Sequence, residues 1–268
     1  MPVDIEARVI RNTRLSPDYN VLALAAPEIG AVAAPGQFVM VRPGRGLDPL
    51  LRRPFSVFEI LRDGGRVTGI TILSKRIGVT TRMLYDAEPG DTISCLGPLG
   101  RPFEVVDPPE QAWMVAGGVG LAPFATLTEA LRERGTPATL FYGARSGAEL
   151  FHLDWFRERG VRLVLTTEDG SAGETGRVTV PLARELTAAG DAPVMVYACG
   201  PEPMLEAVAH AAGAHGKPSQ VSVERTMGCG MGGCYSCVIP VRDAAGAPHY
   251  VRSCIGGPVF RGADIVWD

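Results

Sequence analysis

Neither sign of charge dominates this chain: 26 Lys and Arg stand against 29 Asp and Glu, a formal net charge of -3. A surface that neutralises a phosphate backbone needs a basic surplus, so nucleic acid is excluded as the expected partner. Long apolar runs are missing too. The run Val194-Met195-Val196-Tyr197-Ala198-Cys199 is of strand length, far below the roughly 18 apolar residues of a membrane span. The opening Met1-Pro2-Val3-Asp4-Ile5-Glu6 has no basic stretch followed by an apolar one, so no export segment is read there and the expected location is the cytoplasm. Histidines are few, at 152, 210, 215 and 249, and no partner motif surrounds them, which reads as surface or satisfied core positions. No internal repeat or low-complexity segment is found, and 33 Gly and 22 Pro without a period exclude a collagen-like chain. What remains is 268 residues, 46% apolar and 21% charged, a composition that folds and a length that suits two domains with a small third.

Residues 1–106 read as six short β segments, at 3–10, 20–25, 37–42, 55–60, 67–73 and 91–96, punctuated by turns such as Asp63-Gly64-Gly65 and Pro89-Gly90-Asp91. Their spacing predicts a small antiparallel barrel. After Pro108-Pro109 the rhythm becomes strand, helix, strand: strands at 112–116, 138–142, 161–166, 193–198 and 220–224 alternate with helices at 123–134, 148–159, 180–189 and 203–212. Such alternation predicts a doubly wound parallel sheet over 107–222. The last 46 residues, 223–268, are rich in Gly and Cys and too few for a confident core of their own, a size at which metals or disulfides usually supply the missing stability.

Six cysteines, at 95, 199, 229, 234, 237 and 254, are unevenly placed, the last four forming C-x4-C-x2-C-x16-C. In a reducing compartment clustered thiols mean a metal rather than disulfides. Glycines between Cys229, Cys234 and Cys237 let a loop wrap one inorganic centre, and the spacing is that of plant-type [2Fe-2S] sites. Zinc is the rival, although zinc ribbons place their ligands as two close pairs, and purely structural or redox-active thiols are a third reading. A second motif, Ala116-Gly117-Gly118-Val119-Gly120-Leu121-Ala122-Pro123, follows a strand and opens a helix. It can admit a pyrophosphate to backbone N–H groups at a helix start, or be only a tight turn. Cys199-Gly200-Pro201 ends a later strand of the same sheet, the edge at which open α/β sheets bind ligands. A third motif, Arg52-Arg53-Pro54-Phe55-Ser56-Val57, with Leu73-Ser74-Lys75 and Thr80-Thr81 after it, offers a guanidinium for phosphate, an aromatic for a flat ring and hydroxyls for ring nitrogens, or is a strand with a basic flank.

In this order, R-x-x-S, G-G-x-G-x-x-P and C-G-P resemble the ferredoxin–NADP reductase superfamily, and the appended Glu224 to Cys237 and Cys254 to Phe260 resemble the electron-transfer subunits of NAD-dependent (type B) dihydroorotate dehydrogenases. The resemblance implies an FAD-binding barrel over 1–106, an NAD-binding unit over 107–222 and a [2Fe-2S] unit over 223–268. It implies that Arg53, Pro54, Phe55 and Ser56 contact FAD, Arg53 at the pyrophosphate and Ser56 near the isoalloxazine. Leu73, Ser74 and Lys75 would follow the flavin and Thr80 and Thr81 would meet its phosphates. Thr80 replaces a usual Gly and Phe55 a frequent Tyr. Gly117, Gly118, Gly120, Pro123, Cys199, Gly200 and Pro201 would hold NAD, and Cys229, Cys234, Cys237 and Cys254 the cluster.

No acid or base for dihydroorotate itself is found. The implied role is to pass electrons from the FMN of a separate catalytic subunit through the cluster and FAD to NAD⁺, within a heterotetramer of two subunits of each kind. A diaphorase-type subunit of a hydrogenase, a sulfide dehydrogenase or a transhydrogenase shares the architecture. A zinc-stabilised binding module without turnover is the reading from another class. Cys199 reads either as a neighbour of the nicotinamide or as a packing residue, and Cys95 as core. Glu168 and Asp169 are candidates for the adenosine ribose of NAD, and Arg145 for a 2′-phosphate.

Overall fold

The computed structural model describes residues 1–44, 46 and 48–267; Asp268, the last residue of the expected cluster unit, lies outside the described residues. The first unit is a seven-stranded antiparallel sheet of β1 (Val3–Arg14), β2 (Tyr19–Ala25), β3 (Phe38–Pro43), β4 (Arg53–Ser56), β5 (Ile60–Asp63), β6 (Arg66–Lys75) and β7 (Thr92–Leu99), in the order β4-β3-β7-β1-β2-β6-β5. The expected segment at 55–60 is therefore two strands. Its middle crosses from one edge to the other: the N–H of Val57 bonds the carbonyl of Gln37 at 3.0 Å, and that of Phe58 bonds the carbonyl of Thr71 at 2.8 Å. This crossing closes the sheet around Leu22, Leu24, Val39, Val41, Ile70, Ile72 and Cys95. Cys95 is fully buried and burial pushes its thiol up to about 12, as a core cysteine requires.

Two helices belong to this unit, α1 (Pro27–Gly30) and α2 (Val79–Asp86). The second has no counterpart in the sequence reading, which gave Thr80 and Thr81 no element. Its start is capped by Thr81, whose hydroxyl accepts from the N–H groups of Ile77 and Gly78, both at 2.9 Å. Its end is held by Asn12, whose amide donates to the carbonyls of Leu84, Tyr85 and Ala87 at 3.1, 2.9 and 2.8 Å. One side chain thus satisfies carbonyls that the helix end leaves without partners.

The second sheet takes β8 (Gln111–Gly117), β9 (Ala138–Ala144), β10 (Arg162–Thr167), β11 (Glu174–Thr175), β12 (Val194–Cys199) and β13 (Ser219–Ser222), parallel in the order β11-β10-β9-β8-β12-β13. Its central strands β8, β9 and β12 are apolar on both faces, as strands covered on both sides must be. Met114, Leu140, Tyr142 and Tyr197 face α3 (Ala122–Arg134) and α4 (Leu153–Glu158). Trp113, Val115, Phe141 and Val196 face α5 (Thr179–Ala189) and α6 (Glu202–Ala214). The expected helix at 148–159 is shorter, because His152 takes a left-handed φ of 57° and starts α4 late.

The tail folds as a hairpin, β14 (Val238–Arg242) with β15 (Pro248–Arg252), then α7 (Ser253–Gly256) and β16 (Val259–Arg261). β16 adds to β13 antiparallel, so the edge of the parallel α/β sheet comes from the cluster segment. Nor is the tail's core separate. Ile239, Val241 and Ile265 share the core of α5 and α6, while Met227, Cys237 and Cys254 pack with Phe38, Met40, Leu96 and Leu99 of the barrel. A segment too short to bury its own core borrows from both neighbours. Replacing Asn12 by Ala leaves the carbonyls of Tyr85 and Ala87 without their side-chain donor, while that of Leu84 keeps Asn20, and the expected loss of stability is about 1–3 kcal/mol in urea unfolding; an unchanged midpoint would contradict this account of the helix end.

Candidate functional site

Two cavities meet between the units. The larger, about 930 Å³, runs from Arg53, Pro54, Phe55 and Ser56 past Leu73, Lys75, Thr80 and Thr81 to Cys199 and residues 222–227. The second, about 440 Å³, lies at the C-terminal edge of the α/β sheet and is lined by Gly117, Gly118, Pro201, Arg145 and Glu168. Lys75, Val119 and Glu224 line both, so the two cavities adjoin at those three residues.

On the barrel side, β4 presents its four expected residues along the first cavity. The Arg53 guanidinium donates to the carbonyls of Leu51 and Arg52 at 3.1 and 3.2 Å, which aligns it along the rim. Strand alternation separates the next three: Leu73 and Lys75 face the cavity, whereas Ser74 points to the opposite side, buried, with its hydroxyl unpartnered. Ser74 can meet a ligand only through its backbone. The start of α2, with Gly78, Val79, Thr80 and Thr81 on the cavity wall, directs backbone N–H groups and the positive end of the helix toward it.

On the sheet side, the glycines divide by task. Gly118 has φ +56° and open space where a Cβ would be, and Gly117 lines the cavity beside Pro201. Gly120 instead lets the turn pack on β12, since a Cβ there would lie 2.1 Å from the carbonyl oxygen of Cys199. Gly200 does the same against Met204 and Gly117, and Pro123 is buried in the first turn of α3. Glu168 and Arg145 face the cavity. Asp169 turns away, its carboxylate accepting from the N–H and hydroxyl of Ser171. The buried hydroxyl of Thr166, also on this wall, lacks a partner.

Glu224 is the residue that sequence reasoning missed. It stood inside the quoted E-R-x-M motif with no role, and only the junction of the cavities singles it out. Burial raises its carboxyl pKa. Cys199 lies close by, its thiol also pushed up by burial and then by the Glu224 charge, so it is a neutral thiol rather than a nucleophile.

The thiols of Cys237 and Cys254 sit where the barrel and the tail meet, with Cys229 and Cys234 in the adjoining loop. Cys234 bonds with Ser236 and Cys229, which lowers its thiol to about 6. Cys254 is pushed up to about 12 by burial and by Cys237 beside it. The N–H groups of Met231 and Gly233 donate to the sulfur of Cys229 at 3.4 and 3.2 Å. Among the described residues, no three His, Cys, Asp or Glu side chains converge on a point where one ion would sit.

Comparison with known proteins bears on each part. Residues 224–266 match the iron-sulfur cluster binding domain of dihydroorotate dehydrogenase B, and residues 114–210 match an oxidoreductase NAD-binding domain. The dihydroorotate dehydrogenase B (NAD⁺) electron transfer subunit of Desulforamulus reducens is 34% identical over 263 residues, 98% of each chain. That of Geobacillus kaustophilus is 38% identical over 248 residues, 91% of each. The chain belongs to this family of electron transfer subunits. Its fold agrees: a solved NADH-dependent reduced ferredoxin–NADP oxidoreductase, known from work on flavin-based electron bifurcation, superposes with TM-score 0.83 and 29% identity over 98% of this chain and 90% of that one. A ferredoxin–NADP⁺ reductase of Neisseria gonorrhoeae shares the fold at TM-score 0.64 and 20% identity over 80% of this chain. As a family member the chain is an NAD-linked oxidoreductase subunit that uses FAD, an iron–sulfur cluster and NAD.

Glu224 gives a test of the junction that needs no cofactor. Because burial raises its pKa, the folded chain binds the proton more tightly than the unfolded one; stability is full below the ordinary value of 4.5 and declines as pH rises through and above it. Glu224→Gln stays neutral throughout. Urea unfolding at a series of pH values is expected to show the variant gaining on the parent as pH rises, and parallel curves would contradict the assignment.

Proposed function

We propose that this chain passes electrons from the FMN of a catalytic dihydroorotate dehydrogenase subunit through a [2Fe-2S] cluster and FAD to NAD⁺. The observation that carries the reading is the continuity of the site: residues 223–227 line the barrel cavity, Glu224 also lines the sheet cavity, and Met227 packs with Cys237 and Cys254. When bound, FAD exchanges two electrons with a nicotinamide and single electrons with the cluster. The protein's part is to hold these groups in line and dry, which is most of what a transfer between cofactors requires.

In this reading Arg53 and the start of α2 bind the FAD pyrophosphate, with Thr80 and Thr81 in its first turn. Pro54, Phe55 and Ser56 meet the isoalloxazine, and Leu73 and Lys75 line its side, with Ser74 contributing backbone only. Gly117 and Gly118 receive the nicotinamide nucleotide's pyrophosphate, while Gly120, Pro123 and Gly200 shape that turn. Pro201 closes the cavity beside Cys199, which packs where the two ring systems meet. Cys229, Cys234, Cys237 and Cys254 would hold the cluster, which would supply one-electron exchange. The three units are 1–106, 107–222 and 223–268, and the cytoplasm is their location; no helix among the described residues is long and apolar enough to cross a membrane.

The catalytic subunit covers the cluster. Met231, Tyr235, Tyr250 and Ile255 around it are exposed at 62, 62, 75 and 48%, and Met231 and Ile255 flank a hollow of about 510 Å³ that reaches Cys254. An apolar patch of this kind marks an interaction site, and the assembly is a heterotetramer in this reading. Mixing the loaded chain with a catalytic dihydroorotate dehydrogenase subunit is expected to give NAD⁺ reduction that depends on dihydroorotate. Met231→Asp with Ile255→Asp should weaken that coupled rate about tenfold or more, as loss of interface anchors does, and leave flavin reduction by NADH unchanged. Absence of any dihydroorotate-dependent NADH formation with the parent chain would refute the reading.

A further inference from the structure

The segment between β13 and the cluster loop is the connection among all three parts of the site, yet it has no regular structure from Val223 to Gly228. It is tied at its start, where the N–H of Val223 bonds the carbonyl of Pro258 at 3.0 Å, and at its end, where the N–H of Gly228 bonds the hydroxyl of Ser236 at 3.0 Å. Between these points the polar tie found among the described residues is Arg225. Its two terminal nitrogens bond the two carboxylate oxygens of Glu202 at 2.7 and 2.6 Å. The fork-to-fork geometry fixes orientation as well as distance; the Arg225 side chain is 26% exposed and that of Glu202 49%.

Both ends of this pair are placed to matter. Glu202 begins α6 immediately after Cys199-Gly200-Pro201, so it moves with the sheet cavity. Arg225 follows Glu224 and lines the barrel cavity. We propose that the Arg225–Glu202 pair is a positioning device that fixes the wall of the flavin cavity against the nicotinamide cavity, so that electron exchange between NADH and the flavin depends on it. The inference rests on the reading of the two cavities given above. It also explains why the carboxyl at 224 has an arginine as its neighbour in sequence without pairing with it: the guanidinium is engaged on Glu202.

The test uses the full chain loaded with FAD and cluster, and the variants Glu202→Gln, Arg225→Met, Arg225→Lys and the exchanged pair Glu202→Arg with Arg225→Glu. Anaerobic stopped-flow with NADH gives the limiting rate of flavin bleaching and the NADH concentration for half that rate. Fluorescence titration of the flavin-free chain gives FAD affinity separately. For Glu202→Gln and Arg225→Met the limiting rate is expected to fall about tenfold, the scale of a sub-ångström misplacement, with half-saturation changed less than about twofold and FAD binding weakened only a fewfold. Arg225→Lys, which cannot form the fork, should be intermediate, and the exchanged pair should recover most of the rate. Limiting rates within about twofold of the parent in Glu202→Gln overturn the proposal even if Arg225→Met does not retain flavin. So does an exchanged pair no faster than the single variants. A parent chain that binds FAD but is not bleached by NADH overturns instead the assignment of the cavities, and this inference with it.

Discussion

Electrons that arrive one at a time at a cluster and leave in pairs at a nicotinamide must meet on one flavin, and the geometry that makes this possible is carried by residues 223–227. This stretch leaves the α/β sheet at β13, lines the barrel cavity and ends in the cysteine loop. The sheet edge, the barrel wall and the tail are held to it from three sides: by β16 on β13, by the apolar contact of Met227 with Phe38 and Met40, and by Arg225 on Glu202. Misplacement of any of these would separate sites whose function depends on closeness.

The same constraint explains why the tail is not an independent domain in its packing. Forty-odd residues with four cysteines have little apolar surface to bury alone, and the tail gives up separateness for two borrowed cores. The chemistry gains from this, because Cys237 and Cys254 are buried against the barrel while Cys234 remains exposed beside Met231 and Tyr235. The cysteine loop therefore has one side toward the barrel and another toward solvent.

Much of this was legible in the residues. Alternation of apolar strands with helices announced the parallel sheet, because strands covered on both faces read as continuous apolar runs. The cysteine spacing announced the cluster, because a loop that wraps two irons needs glycines at set offsets. Other features were hidden for physical reasons. Helix α2 depends on an asparagine some seventy residues away to hold its end, and no local pattern reports that. The outward side chain of Ser74 follows from register within β6, which motif matching ignores. The pairing of β16 with β13 is a long-range contact between short strands, and Glu224 acquires its place only when two cavities are brought together. The barrel strand broken at Val57 was read as one because the crossing residues are as apolar as a strand.

The most direct measurement is an anaerobic NADH titration of the purified, loaded chain followed by absorption and electron paramagnetic resonance. The account predicts a brown protein whose flavin bands bleach and in which the signal of a reduced [2Fe-2S] cluster then appears. It also predicts that Cys254→Ser removes that signal and leaves the bleaching. A colourless protein that binds zinc through the four cysteines and does not respond to NADH after reconstitution with FAD and iron would contradict it.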